Sequence, residues 1–215
     1  MAQGLLSATE IKQQLDVGEI TIHPFNSKNL GTCSYDITLG RYYFRANPNM
    51  RLYNPWCKQH MEKYWGTVQV GKAVDTEEEG ALVGLPLGAE YIELGPNETI
   101  LGHTDEYIGG RSRTVAMMQT RSSLGRSGLA VCKDSAMGTV GYVNRWTMEI
   151  TNFSSSTLIL PVGLRVAQMI FFWCGPVDKP YKGKYQPSNN LSELISAWKP
   201  EEMLPKLYLD KELKQ

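Results

Sequence analysis

Residues 145–152 read Arg-Trp-Thr-Met-Glu-Ile-Thr-Asn, and apolar side chains alternate with polar ones through most of this stretch. A period of two predicts a β-strand with one apolar face and one polar face. Glu149 is the only carboxylate of the stretch, and the alternation places it on the polar face with Thr147 and Thr151. From the alternation alone, Glu149 is either a solvent-facing strand residue or an acid that serves a site.

Similar short runs recur from residue 81 onward, and glycine, proline, asparagine or serine separates most neighbours. Many short strands without a long helical period are typical of all-β proteins. The sequence therefore predicts a mostly β fold, a distorted jelly roll or β-barrel with a short N-terminal helix and small peripheral helices. The predicted strands are 81–87, 91–94, 99–102, 114–119, 129–132, 146–151, 157–160 and 166–173.

The N-terminal helix is predicted from a capping box, in which Ser7 and Glu10 can each bond the backbone N–H of the other. Gly18 is expected to end this helix. Further on, residues 35–40 alternate, and residues 41–44 are expected to continue the same strand. Asp36, at the start of that strand, is interpreted mainly as a structural anchor.

The whole chain, 1–215, is predicted to form one domain. Residues 45–80 interrupt the strand pattern with turn formers, aromatic residues and an acidic run at 75–79, so we interpret them as an insertion. The aromatic residues suggest that the insertion packs on another surface, such as a neighbouring subunit, whereas the acidic run is interpreted as a solvated loop. Residues 189–215 are interpreted as a C-terminal arm with a short helix near 190–198.

Composition excludes several classes of function. Lysine plus arginine number 22 and aspartate plus glutamate also number 22, so no global field attracts nucleic acid or membranes. The 4 cysteines lack C-x-x-C spacing, which argues against a zinc framework and against a secreted disulfide scaffold. No apolar stretch approaches the length of a membrane span. We therefore predict a cytoplasmic protein that binds neither nucleic acid nor membranes.

Residues 121–128 read Arg-Ser-Ser-Leu-Gly-Arg-Ser-Gly, a composition suited to binding an anion. Arginine forks match phosphate oxygens, and hydroxyl groups and exposed backbone N–H groups supply further donors. The alternative is a surface loop with two ion-paired arginines. A polar strand face opposite a phosphate-binding loop is what a nucleotide site needs, so we expect residues 121–128 and 145–152 to meet in space.

These two segments, with the Gly141-Tyr142 pair between them, resemble the dCTP deaminase family within the trimeric dUTPase-like superfamily. The resemblance extends from the helix after Ser7 to about Ser192, apart from residues 45–80. It implies a dUTPase-like β fold, a homotrimer with sites between subunits, and hydrolytic deamination of dCTP to dUTP and ammonia. Three more stretches agree in order and spacing: Ser-Tyr-Asp-Ile-Thr-Leu-Gly at 34–40, Gly-Leu-Arg-Val-Ala-Gln-Met at 163–169, and Lys-Tyr-Gln at 184–186.

A deamination by this chain is expected to proceed without zinc. Zinc-dependent nucleobase deaminases carry an H-x-E motif and a downstream P-C-x-x-C motif. None of the three histidines, His23, His60 and His103, stands in that pattern. The resemblance implies instead that Mg²⁺ arrives on the oxygens of the triphosphate, with no protein ligand.

The resemblance also implies a role for each site residue. Glu149, its pKa raised by partial burial, would take a proton from a water held against C4 of cytosine, pass it to N3, and help the amino group leave. Ser122 and the backbone near Ser135 would orient the water, and Arg126 would position Glu149 and stabilise developing charge. The implied catalytic residues are Glu149, Ser122 and Arg126. The implied substrate-binding residues are Arg121, Ser123, Leu124, Gly125, Ser135, Thr139, Thr147, Met148, Tyr181, Lys184 and Ser188.

Two departures from the family pattern keep other activities open. Thr139 stands where the family usually has an acidic residue before Pro-Gly, and Ser188 stands where glutamine is frequent. dUTP pyrophosphatases use an aspartate at the position of Thr139, and many close the site with a glycine-rich C-terminal arm, but no glycine follows Lys184 here. The alternatives are a dUTP pyrophosphatase, a bifunctional deaminase and pyrophosphatase, a deaminase of a related deoxycytidine nucleotide, and a non-enzymatic nucleotide sensor.

Overall fold

The computed structural model describes residues 4–75, 82 and 84–210. Most of the predicted acidic run at 75–79, and part of the predicted strand at 81–87, lie outside the described residues. The described strands are β1 (Ile20–His23), β2 (Tyr35–Thr38), β3 (Tyr42–Arg45), β4 (Gln69–Val70), β5 (Lys72–Ala73), β6 (Glu90–Leu94), β7 (Thr99–Gly110), β8 (Thr114–Thr120), β9 (Leu129–Ala130), β10 (Met137–Gly138), β11 (Val143–Asn152), β12 (Leu158–Pro161) and β13 (Arg165–Trp173).

Four α-helices accompany the strands in the same residues: α1 (Ala8–Asp16), α2 (Lys58–Trp65), α3 (Ser122–Arg126) and α4 (Leu191–Ala197). Short 3₁₀-helices lie at Ser27–Asn29, Pro200–Met203 and Leu207–Leu209. Helix α1 begins at the predicted capping box, and Gly18 follows its end with a φ of 74°. Within the described part of the chain, no helix has both the length and the apolar character needed to cross a membrane.

The described strands pair antiparallel in three sheets. The largest has the order β4-β3-β7-β11-β9, with β1 also paired to β7; the others have the orders β10-β8-β13-β2 and β12-β6-β5. The mostly β prediction, with a short N-terminal helix and small peripheral helices, is confirmed. The sheets remain open, however, and do not close into a barrel.

Strands β7 and β11 form the longest ladder, and its register fixes the face on which Glu149 lies. Glu149 is opposite Leu101 and Thr147 is opposite His103. On the other face of β11, the side chains of Met148 and Ile150 are buried in the main hydrophobic core. The two faces predicted from the alternation are therefore present.

The single strand predicted for residues 35–44 is wrong, and the described residues of the strand predicted at 81–87 (82 and 84–87) belong to no strand. Residues 35–44 form two strands in different sheets, because β2 pairs with β13 whereas β3 pairs with β7 and β4. The chain turns between them at Gly40, where a Cβ atom would lie 1.9 Å from the His103 ring. Burial lowers the pKa of His103 to about 4, so the ring is neutral, and its Nδ1 lies 2.8 Å from the Thr104 carbonyl oxygen. The alternating pattern did not reveal this long-range contact.

A second, smaller core covers the Glu149 face of the central sheet. It joins α2 of the insertion to the C-terminal segment, with buried side chains from Phe44, Met61, Trp65, Leu101 and Met203. Tyr53, Tyr64 and Trp65 of the insertion thus pack on this same chain, whereas Trp56 is exposed. The described part of the predicted C-terminal arm, up to residue 210, is likewise packed against the sheet by Met203 and its neighbours.

Candidate active site

A cavity of about 450 Å³ lies beside Glu149, between the central sheet and the second core. Pockets of roughly 300–1,000 Å³ are typical of small-molecule sites. Its described lining comes from the central sheet, the β10 turn, the insertion and the C-terminal segment. The lining residues are Trp65, Leu101, Ser135, Met137, Gly138, Thr139, Tyr142, Trp146, Thr147, Glu149, Tyr181, Tyr185, Met203 and Pro205.

Glu149 carries the only carboxylate among the described lining residues. Burial raises the pKa of this carboxyl group, although the backbone N–H and the ammonium group of Lys133 act in the opposite direction. Its Oε2 atom is buried and has no hydrogen-bond partner among the described residues. A carboxylate with a raised pKa and an unused oxygen is suited to accepting a proton from a bound molecule.

An aromatic wall stands on the other side of the cavity. The ring of Tyr142 packs edge-on against Trp146 at 5.4 Å and against Tyr181 at 5.2 Å between centroids. Burial raises the pKa of Tyr142, which keeps the phenol neutral. This wall offers flat apolar surface to a ligand ring.

The turn at Gly141 holds Tyr181 in that wall. Gly141 has a φ of 92°, and a Cβ atom there would lie 2.7 Å from Pro180 Cβ and 2.8 Å from the Tyr181 nitrogen. The Tyr181 N–H also donates to the Val140 carbonyl oxygen at 2.7 Å. The close approach and the left-handed backbone both require glycine at this position.

The predicted anion-binding stretch, 121–128, does not line this cavity. It forms the surface helix α3, where Ser122, Ser123 and Arg126 are exposed. Its last residue, Gly128, accepts a hydrogen bond from the N–H of Phe153, just after β11. The two stretches expected to meet therefore lie close together within one chain. Of the two, only 145–152 contributes side chains to the lining of the cavity.

Asp36 acts as a structural anchor close to this helix. Its Oδ2 atom lies 3.1 Å from Arg165 Nη1 and 3.6 Å from Arg121 Nε. Asp36 is buried, whereas both arginines are partly exposed. The pair with Asp36 holds Arg121 in place just before α3. This contact agrees with the interpretation of Asp36 as a structural anchor.

The predicted site residues fall into two groups. Residues Ser135, Thr139, Thr147, Glu149 and Tyr181 come together around the cavity. The others do not line it within one chain: Arg121, Ser122, Ser123, Leu124, Gly125, Arg126, Met148, Lys184 and Ser188.

Besides Arg121, which pairs with Asp36, three more residues of the second group have other surroundings. Strand alternation turns the Met148 side chain into the main core, where it is fully buried, so only the backbone of Met148 remains as a possible contact for a ligand. Lys184 forms an ion pair with Asp210. The Ser188 hydroxyl donates to Glu193 and accepts from the N–H of Asn190, which places it at the start of α4.

Sequence reasoning missed the apolar wall made by Trp65, Leu101, Met203 and Pro205. Leu101 could have been found, because it lies in a predicted strand that pairs with β11. Trp65 was noticed only as part of an aromatic insertion, and no local pattern links it to Met203. Their meeting depends on contacts between distant parts of the chain.

The described residues contain no group of three or more His, Cys, Asp or Glu side chains that could hold a metal ion.

Comparison with known proteins shows which family this chain resembles. A dCTP deaminase-like family model matches residues 5–174. A dCTP deaminase from Natronomonas pharaonis is 27% identical over 181 residues, covering 82% of this chain and 85% of that protein. A relative from Clavibacter michiganensis, named as a dUMP-forming dCTP deaminase, is 28% identical over 183 residues, with coverages of 84% and 83%.

The fold is also that of a solved structure. The 2'-deoxycytidine 5'-triphosphate deaminase from Agrobacterium tumefaciens superposes with a TM-score of 0.57 at 15% identity, over 81% of this chain and 49% of that chain. The described fold and the extent of the family match lead to one conclusion: the chain belongs to the dCTP deaminase-like family.

Proposed function

We propose that this protein catalyses the hydrolytic deamination of dCTP to dUTP and ammonia without zinc, with Glu149 as the residue that activates water. One observation carries the proposal: a partly buried carboxyl group with a raised pKa, whose buried Oε2 atom has no hydrogen-bond partner among the described residues, lines a cavity of ligand size. The membership of a dCTP deaminase-like family supports the choice of substrate.

The reaction needs one group that moves two protons in turn. The Glu149 carboxylate takes a proton from water as the water oxygen bonds to C4 of cytosine, and this proton goes to N3. The remaining proton of the new hydroxyl group then passes through Glu149 to the amino group. The C4–N bond breaks, ammonia leaves, and a C4 carbonyl forms. The raised pKa makes Glu149 a stronger base than a surface carboxylate and so favours both transfers.

The lining of the cavity suits the base and sugar rather than the phosphates. No lysine or arginine belongs to its described lining, and aromatic and apolar side chains make up most of it. A charged triphosphate needs cations, so it would extend out of the cavity. Mg²⁺ would accompany it on the phosphate oxygens.

The exposed serines of α3 would bind those phosphates from a second copy of the chain. Ser122, Ser123 and Arg126 are exposed, and Arg126 forms no ion pair with any described residue. A homotrimer with sites between subunits would place this helix against the Glu149 cavity of a neighbour, where Ser122 and Arg126 would orient the water and Glu149. We place this activity in the cytoplasm, where deoxynucleotides are interconverted.

The main alternative is a bifunctional enzyme that also hydrolyses dUTP to dUMP. Several relatives at 25–28% identity are named as dUMP-forming. The second step would need a base to activate water at the α-phosphate. Thr139 supplies a hydroxyl group and no carboxylate at the edge of the cavity, which favours dUTP as the final product.

Incubation with dCTP, followed by quantification of ammonia and separation of the nucleotides, tests the proposal. We expect equal amounts of ammonia and dUTP and no pyrophosphate. Glu149→Gln keeps the shape of the side chain and should lower kcat by about 10²–10⁴-fold with little change in KM. Formation of dUMP would favour the bifunctional alternative, and unchanged turnover by Glu149→Gln would overturn the role of Glu149.

A further inference from the structure

Two lysines flank one aromatic ring at the edge of the candidate active site. The Nζ atom of Lys184 lies 5.6 Å from the centroid of the Tyr185 ring, and Nζ of Lys206 lies 5.5 Å from the same centroid. Tyr185 itself lines the Glu149 cavity, as does Pro205, the neighbour of Lys206. Two positive charges are therefore held together beside a cavity whose described lining has none.

Each lysine has a carboxylate partner from the C-terminal segment. Lys184 pairs with Asp210, and Lys206 pairs with Glu202. The Lys206 Nζ also donates to the Lys184 carbonyl oxygen at 3.2 Å, which joins the two lysines in one cluster. The Lys206 side chain is only 15% exposed and the Lys184 side chain 26%, so much of the water has already been removed from both.

We propose that Lys206 binds the phosphates of the nucleotide together with Lys184, and that Asp210 and Glu202 occupy the positions which phosphate oxygens take when the nucleotide binds. The identity of the nucleotide rests on the proposed function, whereas the affinity of the cluster for phosphate does not. Lys206 lies outside residues 5–174, which match the family model, and no sequence pattern singled it out.

Carboxylate and phosphate oxygens bind an ammonium group in the same way. A phosphate chain carries more negative charge than the carboxylate that it displaces, and both lysines have already lost part of their hydration. When the nucleotide binds, a phosphate group with more negative charge therefore replaces a carboxylate group beside each lysine, and the ammonium groups are already in place. It also places the phosphates next to Tyr185, at the edge of the cavity that would hold the base and sugar.

A purely structural role for these ion pairs makes the opposite prediction for one variant. If the pair between Lys184 and Asp210 only fastens the C-terminal segment, removal of the carboxylate loosens the segment and weakens ligand binding. If Asp210 competes with phosphate, Asp210→Asn removes the competitor and strengthens binding. The sign of the change separates the two roles.

The experiment measures binding by calorimetry in a Glu149→Gln background, with dCTP, deoxycytidine and inorganic triphosphate as three separate probes. Lys206→Gln should raise the Kd for dCTP and for triphosphate about tenfold and leave the Kd for deoxycytidine unchanged. Lys206→Arg keeps the charge and should stay within about threefold of the parent. Asp210→Asn should lower the Kd for dCTP by about threefold or more.

Two exposed positions provide matched controls. Lys12→Gln removes a lysine of α1, and Glu62→Gln breaks the exposed pair with Lys58; neither should change any of the three affinities. The inference is overturned if Lys206→Gln leaves dCTP and triphosphate binding unchanged or weakens deoxycytidine equally, or if Asp210→Asn weakens binding. Failure of the proposed function would appear separately, because the unsubstituted protein would then release no ammonia from dCTP. The binding of inorganic triphosphate would still test the role of Lys206 in that case.

Discussion

Glu149 lies directly opposite Leu101 across the ladder between β11 and β7, so the carboxyl group of the cavity neighbours a residue of the second core. Leu101 contributes to both the cavity lining and that core. The insertion and the C-terminal segment, which meet in this core, therefore help to keep water away from Glu149. This relationship connects the stability of the fold to the protonation of the proposed catalytic group.

Glu149→Gln should change stability in a pH-dependent way. The folded protein holds the Glu149 proton more tightly than the unfolded chain does, because burial raises the pKa above 4.5. The stability of the unsubstituted protein should therefore fall as pH rises through the window between 4.5 and the raised value. Glutamine does not ionise, so the variant should have a higher Tm at neutral pH and an equal Tm in acid.

Thermal unfolding of both proteins over a pH series checks this prediction. Glu62→Gln, on the exposed face of α2, should leave the pH dependence as it is. Equal Tm differences at every pH would contradict the raised pKa of Glu149.

Leu101→Ala should weaken the second core and lower the pKa of Glu149 together. Truncating a buried leucine costs about 2–5 kcal/mol of unfolding free energy. The space left behind admits water near the carboxyl group, so the acid limb of the kcat/KM profile should move to lower pH. Urea unfolding and a pH profile measure the two effects, with the exposed Leu52→Ala as the control. If the variant is destabilised but the acid limb does not move, the second core does not influence the pKa of Glu149.

Gly141→Ala should disturb Tyr181 more than it disturbs the rest of the fold. The added Cβ would meet Pro180 and the Tyr181 backbone, at a residue whose φ is already 92°. We expect a loss of about 1–3 kcal/mol in stability and a raised KM. Gly175→Ala is the matched control, since nothing lies within 4 Å of its added Cβ. An unchanged KM would remove Tyr181 from the proposed binding wall.

Mixing two inactive variants tests whether the site is shared between subunits. Glu149→Gln and Arg126→Ala should each be nearly inactive alone. In a mixed homotrimer with sites between subunits, some sites combine an intact Glu149 with an intact Arg126, and chance pairing should restore roughly a quarter of the activity. Unfolding and refolding the two variants together, followed by an ammonia assay, provides the measurement. No recovery on mixing would place both residues in one chain's site.

Local patterns predicted a large part of this molecule. The alternation of residues 145–152 gave the correct face for Glu149, and the capping box at Ser7 gave the start of α1. Both features depend on near neighbours in the chain. The break at Gly40 depends instead on the distant ring of His103, which no local pattern records.

The residues of the candidate site also differ in whether the sequence could place them. Thr147 and Glu149 could be placed by strand periodicity, and Tyr181 by family resemblance. The positions of Trp65 and Met203 follow from packing between an insertion and a C-terminal segment that are far apart in sequence. The cation cluster at Lys184 and Lys206 is equally a product of folding, because it forms around the ring of Tyr185.

The placement of Met203 and Pro205 in the cavity wall has a consequence for biosynthesis. A ribosome completes β11 many codons before it reaches these two residues, and chains begin to fold as they emerge. Strands β7 and β11 can therefore pair before Met203 and Pro205 are available to line the cavity beside Glu149. The nascent protein therefore closes this side of the cavity only after Met203 and Pro205 have been synthesised.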